Sequence, residues 1–336
     1  MKPTDFSKYL SDFLCRYLPH ERGLSENTIV AYRDTFILFI RFLESRNLKV
    51  HKLMLAKITK QMVVEFLDWL QNDRNCGNAS RNARLAAIHS FFRYMQYQRP
   101  EHLYEYQGIL SIKVKKTSRP VIKHLSVDGI TILLQQPDTT KKSGRRDLAL
   151  MSLMYDTGAR VQEIIDLTPA TIRLENPYTI RITGKAKKTR IVPMLDKQVV
   201  LLKGYLNENN LMNPESNNHP LFFNSRKEKF TRAGITYILN KYVAQANAKR
   251  PELVPKQLNC HSLRHSKAMH LLQAGVNLVY IRDLLGHTSI QTTEVYARAD
   301  SAQKRRAIEA AYKNVTPNQH PIWTENVNML EWLKSF

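Results

Sequence analysis

The chain has 336 residues, 43% of them hydrophobic, and carries 51 Lys and Arg against 29 Asp and Glu, a net charge of +22. That length is enough for two cores, and the charge points to a polyanionic partner, either nucleic acid or an anionic membrane. No apolar run reaches the length of a membrane span, and the start MKPTDFSKYLSDFL lacks the apolar core of a signal peptide, so nucleic acid is favoured and no membrane partner is expected. Cys15, Cys76 and Cys260 have no metal-ligand spacing, which suits reduced thiols in a cytosolic protein.

Phe6, Tyr9, Leu10 and Phe13 recur at helical spacing over residues 6–19. After a turn at Arg22-Gly23, Ser25 suits the N-cap of a long helix with Ile29, Tyr32, Phe36, Phe39, Ile40 and Leu43 on one face. Thr59 and Ser80 read as the caps of a third and a fourth helix, the latter carrying Leu85, Ile88, Phe91, Phe92 and Met95. Residues 1–106 thus form an all-α N-terminal domain. Arg81 and Arg84 open the fourth helix, where phosphate contact is favourable, although a solvated basic face has about equal claim. Residues 107–124 read as a basic interdomain linker, with Lys113, Lys115 and Lys116 placed to follow a DNA backbone; a solvated connector is the plainer alternative.

The second domain is expected over 125–316, opening on the cap Leu125-Ser126-Val127-Asp128. Lys141 to Arg146 read as a basic loop, and an apolar helix from Asp147 leads to Thr157-Gly158-Ala159-Arg160. Arg160 starts a new helix and shares a face with Glu163. Tyr178–Thr183 and Thr189–Pro193 alternate as a hairpin around Gly184-Lys185-Ala186-Lys187-Lys188. Helices over Lys197–Leu206 and Thr231–Ala248 follow, and Leu221-Phe222-Phe223 reads as core. Long helices with one hairpin make an α-rich α+β domain. Past a helix at Ser301–Tyr312, residues 317–336 form a C-terminal tail whose large apolar side chains need a groove in this protomer or a neighbour.

The chemistry concentrates between Cys260 and Ala297, CHSLRHSKAMHLLQAGVNLVYIRDLLGHTSIQTTEVYA. His261 and Arg264 share a helical face, Gly286 suits a helix stop before His287, and a short helix carries Tyr296 nine residues later. Arginine forks a phosphate, histidine donates to its oxygens, and a phenol can attack phosphorus. Taken singly, each of these residues is more often structural; the ordered set is harder to dismiss.

H-S-L-R-H-S, L-L-G-H and Tyr296 closely resemble the C-terminal signature of the tyrosine recombinases, the phage-integrase and Xer-type family, and T-G-A-R-V-Q-E-I resembles its first arginine motif. The resemblance implies a SAM-like core-binding domain followed by a catalytic domain. It implies Tyr296 as nucleophile, forming a 3′-phosphotyrosyl link. Arg160, Arg264, His261 and His287 would hold the phosphate, with His261 also able to help take the tyrosine proton. Lys185, directly after the hairpin glycine, would be the general acid, with Lys187 and Lys188 on backbone phosphates. Glu163 would steady Arg160. His265, on a different face from Arg264, reads as a supporting or core histidine. Lys267 and Met269 depart from the family's usual F-A-T, off the chemical residues. No cofactor, metal or ATP is expected. The implied partners are double-stranded DNA with inverted-repeat core sites and a tetramer on that DNA, which in the family can include related recombinases. The same chemistry fits a type IB topoisomerase-like relaxing enzyme, and an inert DNA-binding protein is a third, weaker reading.

Overall fold

The computed structural model describes residues 3–117, 122–184, 187–299 and 328–334, and the chain divides into two compact units, Met1–Pro120 and Val121–Phe336. None of the described helices is long and apolar enough to cross a membrane.

The first unit is all helical. Helix α1 (Asp5–Asp12) runs into a π-helical segment, Phe13–Glu21, and is followed by α2 (Glu26–Ser45), α3 (Lys60–Asn72), α4 (Asn78–Gln98) and α5 (Leu103–Leu110). The hydroxyl of Thr59 accepts the Met62 N–H, so α3 starts where its capping residue predicts. Phe13 and Phe91 meet edge to face at 5.3 Å inside a cluster that includes Phe36, Phe39, Phe66 and Phe92.

Helix α4 is capped by Gly77, three residues before the expected Ser80 cap. That shift changes the reading of its arginines. Arg81 is only 5% exposed and donates to Asn82 Oδ1 and the Lys113 carbonyl, and Arg84 donates to the Ala31 carbonyl and Thr35 Oγ1. Both brace this unit from within. The expected linker is also tied down over its described first part. Gln107–Leu110 completes α5, and Ile109 and Ile112 are buried. Asn82 both donates to the Lys115 carbonyl (2.8 Å) and accepts its N–H (3.0 Å), while Asn78 donates to the Lys116 carbonyl. Lys113 and Lys116 keep their side chains exposed; Lys115 Nζ donates to Gln71 Oε1 at 2.6 Å.

In the second unit, α6 (Val127–Leu134) and α7 (Lys142–Thr157) precede the short α8 (Val161–Ile165). Helix α7 takes in most of the expected basic loop. Gly144 makes this possible: a Cβ there would stand 1.9 Å from the Asp138 carbonyl oxygen. Arg145 pairs with Glu208, and Arg146 pairs with Asp147 and covers the Phe230 ring. A three-stranded antiparallel sheet follows, β1 (Ile172–Arg173), β2 (Thr179–Thr183) and β3 (Thr189–Pro193), one strand more than the expected hairpin. Ile180 opposes Val192 and Ile182 opposes Arg190, so these four share the buried face. Then come α9 (Asp196–Glu208), α10 (Arg232–Lys249), α11 (Cys260–Gln273), α12 (Leu278–Leu285) and α13 (Gln291–Ala299). Leu221 and Phe222 are core. The expected helix at Ser301–Tyr312 and most of the tail lie outside the described residues; in the helical turn Met329–Lys334, Met329, Leu330 and Leu333 are exposed.

Candidate active site

Helix α7 ends on Gly158, which adopts a left-handed conformation (φ +56°). The turn does two things. It presents its own carbonyl to Arg264, and it delivers Arg160 to the start of α8. Glu163 folds back on that start: its Oε2 accepts the Arg160 N–H (2.9 Å) and its Oε1 accepts Arg160 Nη1 (2.9 Å). Arg190 of β3 approaches the same carboxylate, its Nη2 at 2.7 Å from Oε2. Glu163 is buried, which works against its charge, but Arg190 and Arg160 outweigh burial and hold its carboxyl below the ordinary range.

Arg264 is 1% exposed, and its guanidinium donates to the carbonyls of Gly158 and Leu285, both at 2.7 Å. Burial and the nearby Arg160 push it down to about 10. It remains a cation at neutral pH. Three cations, Arg160, Arg190 and Arg264, surround one carboxylate, Glu163, which leaves a surplus of two positive charges.

Helix α12 stops on Gly286 (φ +65°), and the chain turns so that His287 Nδ1 meets Thr293 Oγ1 of α13 at 2.9 Å. This fastens the helix that carries Tyr296. The tyrosine is 3% exposed and packs with Ala268, Met269, Leu272, Ile281 and Leu285. Its ring lies parallel to His287 at 6.4 Å, and its hydroxyl bonds His265 Nδ1 at 2.9 Å. Tyr296 therefore sits among residues of its own catalytic unit. His265 stands against that hydroxyl, and His261, exposed at the start of α11, has its ring 5.3 Å from that of His265. Burial raises the phenol above its usual value, with Arg264 and Arg160 opposing that rise.

A cleft of about 570 Å³ opens beside these groups, lined by Arg160, Gly184, Lys188, Arg190, His287 and Thr292 among others. Lys185 lies outside the described residues; its chain neighbour Gly184 borders the cleft, and Lys187 is exposed with φ +57°. No group of three or more His, Cys, Asp or Glu side chains among the described residues is arranged to hold a metal ion.

Burial, together with neighbouring cations and His261, pulls His265 and His287 each down to about 4 from an ordinary 6.5. The unfolded chain therefore takes up these protons near pH 6.5, while the folded site resists until about 4. Stability from this source is complete above 6.5 and is lost as pH falls toward 4, by up to about 1.4 kcal/mol per pH unit for each histidine. Thermal melts between those limits should show this slope, and His265→Gln should remove its share. A melting temperature flat across the window would contradict it.

Arginines converging on a cleft with histidines and a buried tyrosine define a phosphoryl-transfer site of the tyrosine type. Residues 123–303 match the phage integrase family, and residues 11–98 match the phage integrase N-terminal SAM-like domain. A putative integrase/recombinase, y4rC, of Sinorhizobium fredii is 36% identical over 91% of this chain and 92% of its own length. Tyrosine recombinase XerD of Pseudomonas putida is 31% identical over 84% of this chain and 90% of its own. In structure, the chain is similar to the XerH site-specific recombinase bound to palindromic difH substrate in a post-cleavage complex. The TM-score is 0.66 at 26% identity, covering 86% of this chain and 80% of that one. The chain belongs to the phage integrase family: it is a tyrosine-type site-specific DNA recombinase.

Arg190 is the site residue that the sequence motifs pass over. Its signal lies in strand alternation. With Ile191 outward and Val192 inward, Arg190 is an arginine on the buried face of a hairpin strand, which requires a partner.

Proposed function

We propose that this protein exchanges DNA strands through a 3′-phosphotyrosyl intermediate in which Tyr296 is the nucleophile. The observation that carries the reading is that Arg160 and His287 line one cleft while Tyr296, stacked on His287, and Arg264 lie buried next to them in the same unit. Attack by Tyr296 on a phosphodiester forms the tyrosyl–phosphorus bond and breaks the bond to the 5′-oxygen. Two negative charges then build on the non-bridging oxygens, matching the surplus of two positive charges around Glu163. Arg160 and Arg264 stabilise that charge, and His261 and His287 donate to the same phosphate. His265, on the phenol hydroxyl, is placed to accept its proton. Lys185 protonates the departing 5′-oxygen. The phosphotyrosyl link keeps the bond energy, so a 5′-hydroxyl from a second duplex reverses the step and joins the strands.

The substrate in this reading is double-stranded DNA with inverted-repeat core sites, held by a tetramer in the cytoplasm. Lys113, Lys116, Lys187 and Lys188 meet backbone phosphates, and partner recombinases of related sequence are compatible with it. Integration or excision of a mobile DNA element is the role we infer for it, and the kinship with a putative integrase/recombinase supports that reading.

Plasmids bearing two copies of a candidate inverted-repeat sequence from the DNA beside the gene test this. The expected result is deletion or inversion between the copies, without added ATP. Relaxation of supercoils on a plasmid with no such site, and no exchange on the paired one, would replace the reading with a relaxing enzyme.

A further inference from the structure

We propose that Arg190 is a positioning residue for the strand-cleavage step, an inference that rests on the phosphoryl-transfer reading of the cleft. Its side chain is 11% exposed and reaches two separate parts of the site at once. Nη2 holds Glu163 Oε2 at 2.7 Å, and Nε donates to the Leu284 carbonyl at 2.7 Å. The guanidinium also lies flat against the turn before His287: a Cβ on Gly286 would stand 2.8 Å from Nη1.

Two consequences follow from elementary electrostatics. Glu163 is the carboxylate that both Arg160 and Arg190 contact. Paired with Arg160 alone, it would cancel the charge that Arg160 needs for a phosphate. With Arg190 on the other oxygen, one negative charge is shared between two cations, and Arg160 keeps part of its own for the substrate. Mechanically, Arg190 ties the end of α12 to the start of α8 through β3. The Leu284–Gly286 turn sets the direction in which His287 leaves, and the Arg160–Glu163 pair sets the direction of Arg160. A single side chain thus aligns two phosphate-facing groups that lie more than a hundred residues apart in the chain. Lysine keeps the charge but lacks the planar fork whose separate Nε and Nη2 make these two contacts.

A double-mutant cycle separates this role from its competitors. Single-turnover cleavage of a nicked DNA site, equilibrium DNA binding and melting temperature are measured for the wild type, Arg190→Gln, Arg190→Lys, Glu163→Gln and the Arg190→Gln/Glu163→Gln double variant. Arg190→Gln is expected to slow cleavage about 100-fold with DNA affinity within about threefold, and Arg190→Lys to recover little of it. Once Glu163 is neutral, losing Arg190 is expected to cost no more than about tenfold, because the charge it shares is gone and only the α12 tie remains. Multiplicative losses in the double variant would overturn the proposal, since Arg190 would then act on the phosphate independently. So would cleavage unchanged in Arg190→Gln, or a loss of DNA binding equal to the loss of rate. If Arg190→Gln does not fold, Arg190→Lys in the Glu163→Gln background supplies the same comparison. Wild-type protein that forms no covalent adduct would instead strike at the phosphotyrosyl reading itself.

Discussion

Arg264→Ala is expected to lower the melting temperature of the catalytic unit by roughly 5–10 °C and to slow covalent attachment to DNA about a thousand-fold. The stability loss follows from burial. The guanidinium satisfies the carbonyls of Gly158 and Leu285, and alanine leaves both without a donor beside a cavity the size of an arginine. Each orphaned carbonyl costs about 1–3 kcal/mol. Part of that is offset, because the buried cation itself strains against desolvation, which is why its pKa sits at about 10. A net loss of roughly 2–4 kcal/mol remains. The catalytic loss has a different origin. Removing Arg264 takes away half of the surplus positive charge that opposes the developing phosphorane. Arg264→Lys separates the two effects: it keeps the charge but reaches one carbonyl, so it should recover more stability than rate. Cleavage by Arg264→Ala within tenfold of wild type would remove Arg264 from the charge-stabilising role.

Tyr296→Phe is the second large effect, and its signature is the reverse. The ring stays in its apolar cluster with Met269, Leu272 and Leu285, so the fold is kept. The hydroxyl's bond to His265 is lost, about 1 kcal/mol. DNA binding should be unchanged and covalent attachment absent. A variant that binds and melts normally yet cannot attach to DNA isolates the nucleophile from the fold that presents it.

Much of this site is legible in the sequence because its parts are local. H-S-L-R-H lies on one helix, Gly286 marks a helix end by its need for positive φ, and T-G-A-R places an arginine just after a left-handed turn. What is not legible is set by distant pairing. Helical spacing correctly separates His265 from the face of Arg264. It cannot show that α13 returns to the His265 side and brings Tyr296 to it across 31 residues. Arg190 meets Glu163 27 residues before it and Leu284 94 residues after it, beyond any local motif. At Arg81 and Arg84 the sequence shows only charge near a helix start; that these side chains reach the carbonyls of Lys113 and Ala31 is set by distant packing. The strand Ile172–Arg173 is too short to show alternation, and the early start of α7 depends on Gly144 fitting against Asp138.

The central step of the proposed reaction is attack by the Tyr296 hydroxyl on a DNA phosphate to leave a 3′-phosphotyrosyl link. The most direct measurement is mass-spectrometric mapping of the protein–DNA adduct trapped on a nicked, inverted-repeat site, for the wild type and for Tyr296→Phe. One DNA 3′-phosphate on the peptide containing Tyr296, and no adduct in Tyr296→Phe, is the predicted result. An adduct on another residue, a 5′-phosphate linkage, or attachment that survives in Tyr296→Phe would contradict it.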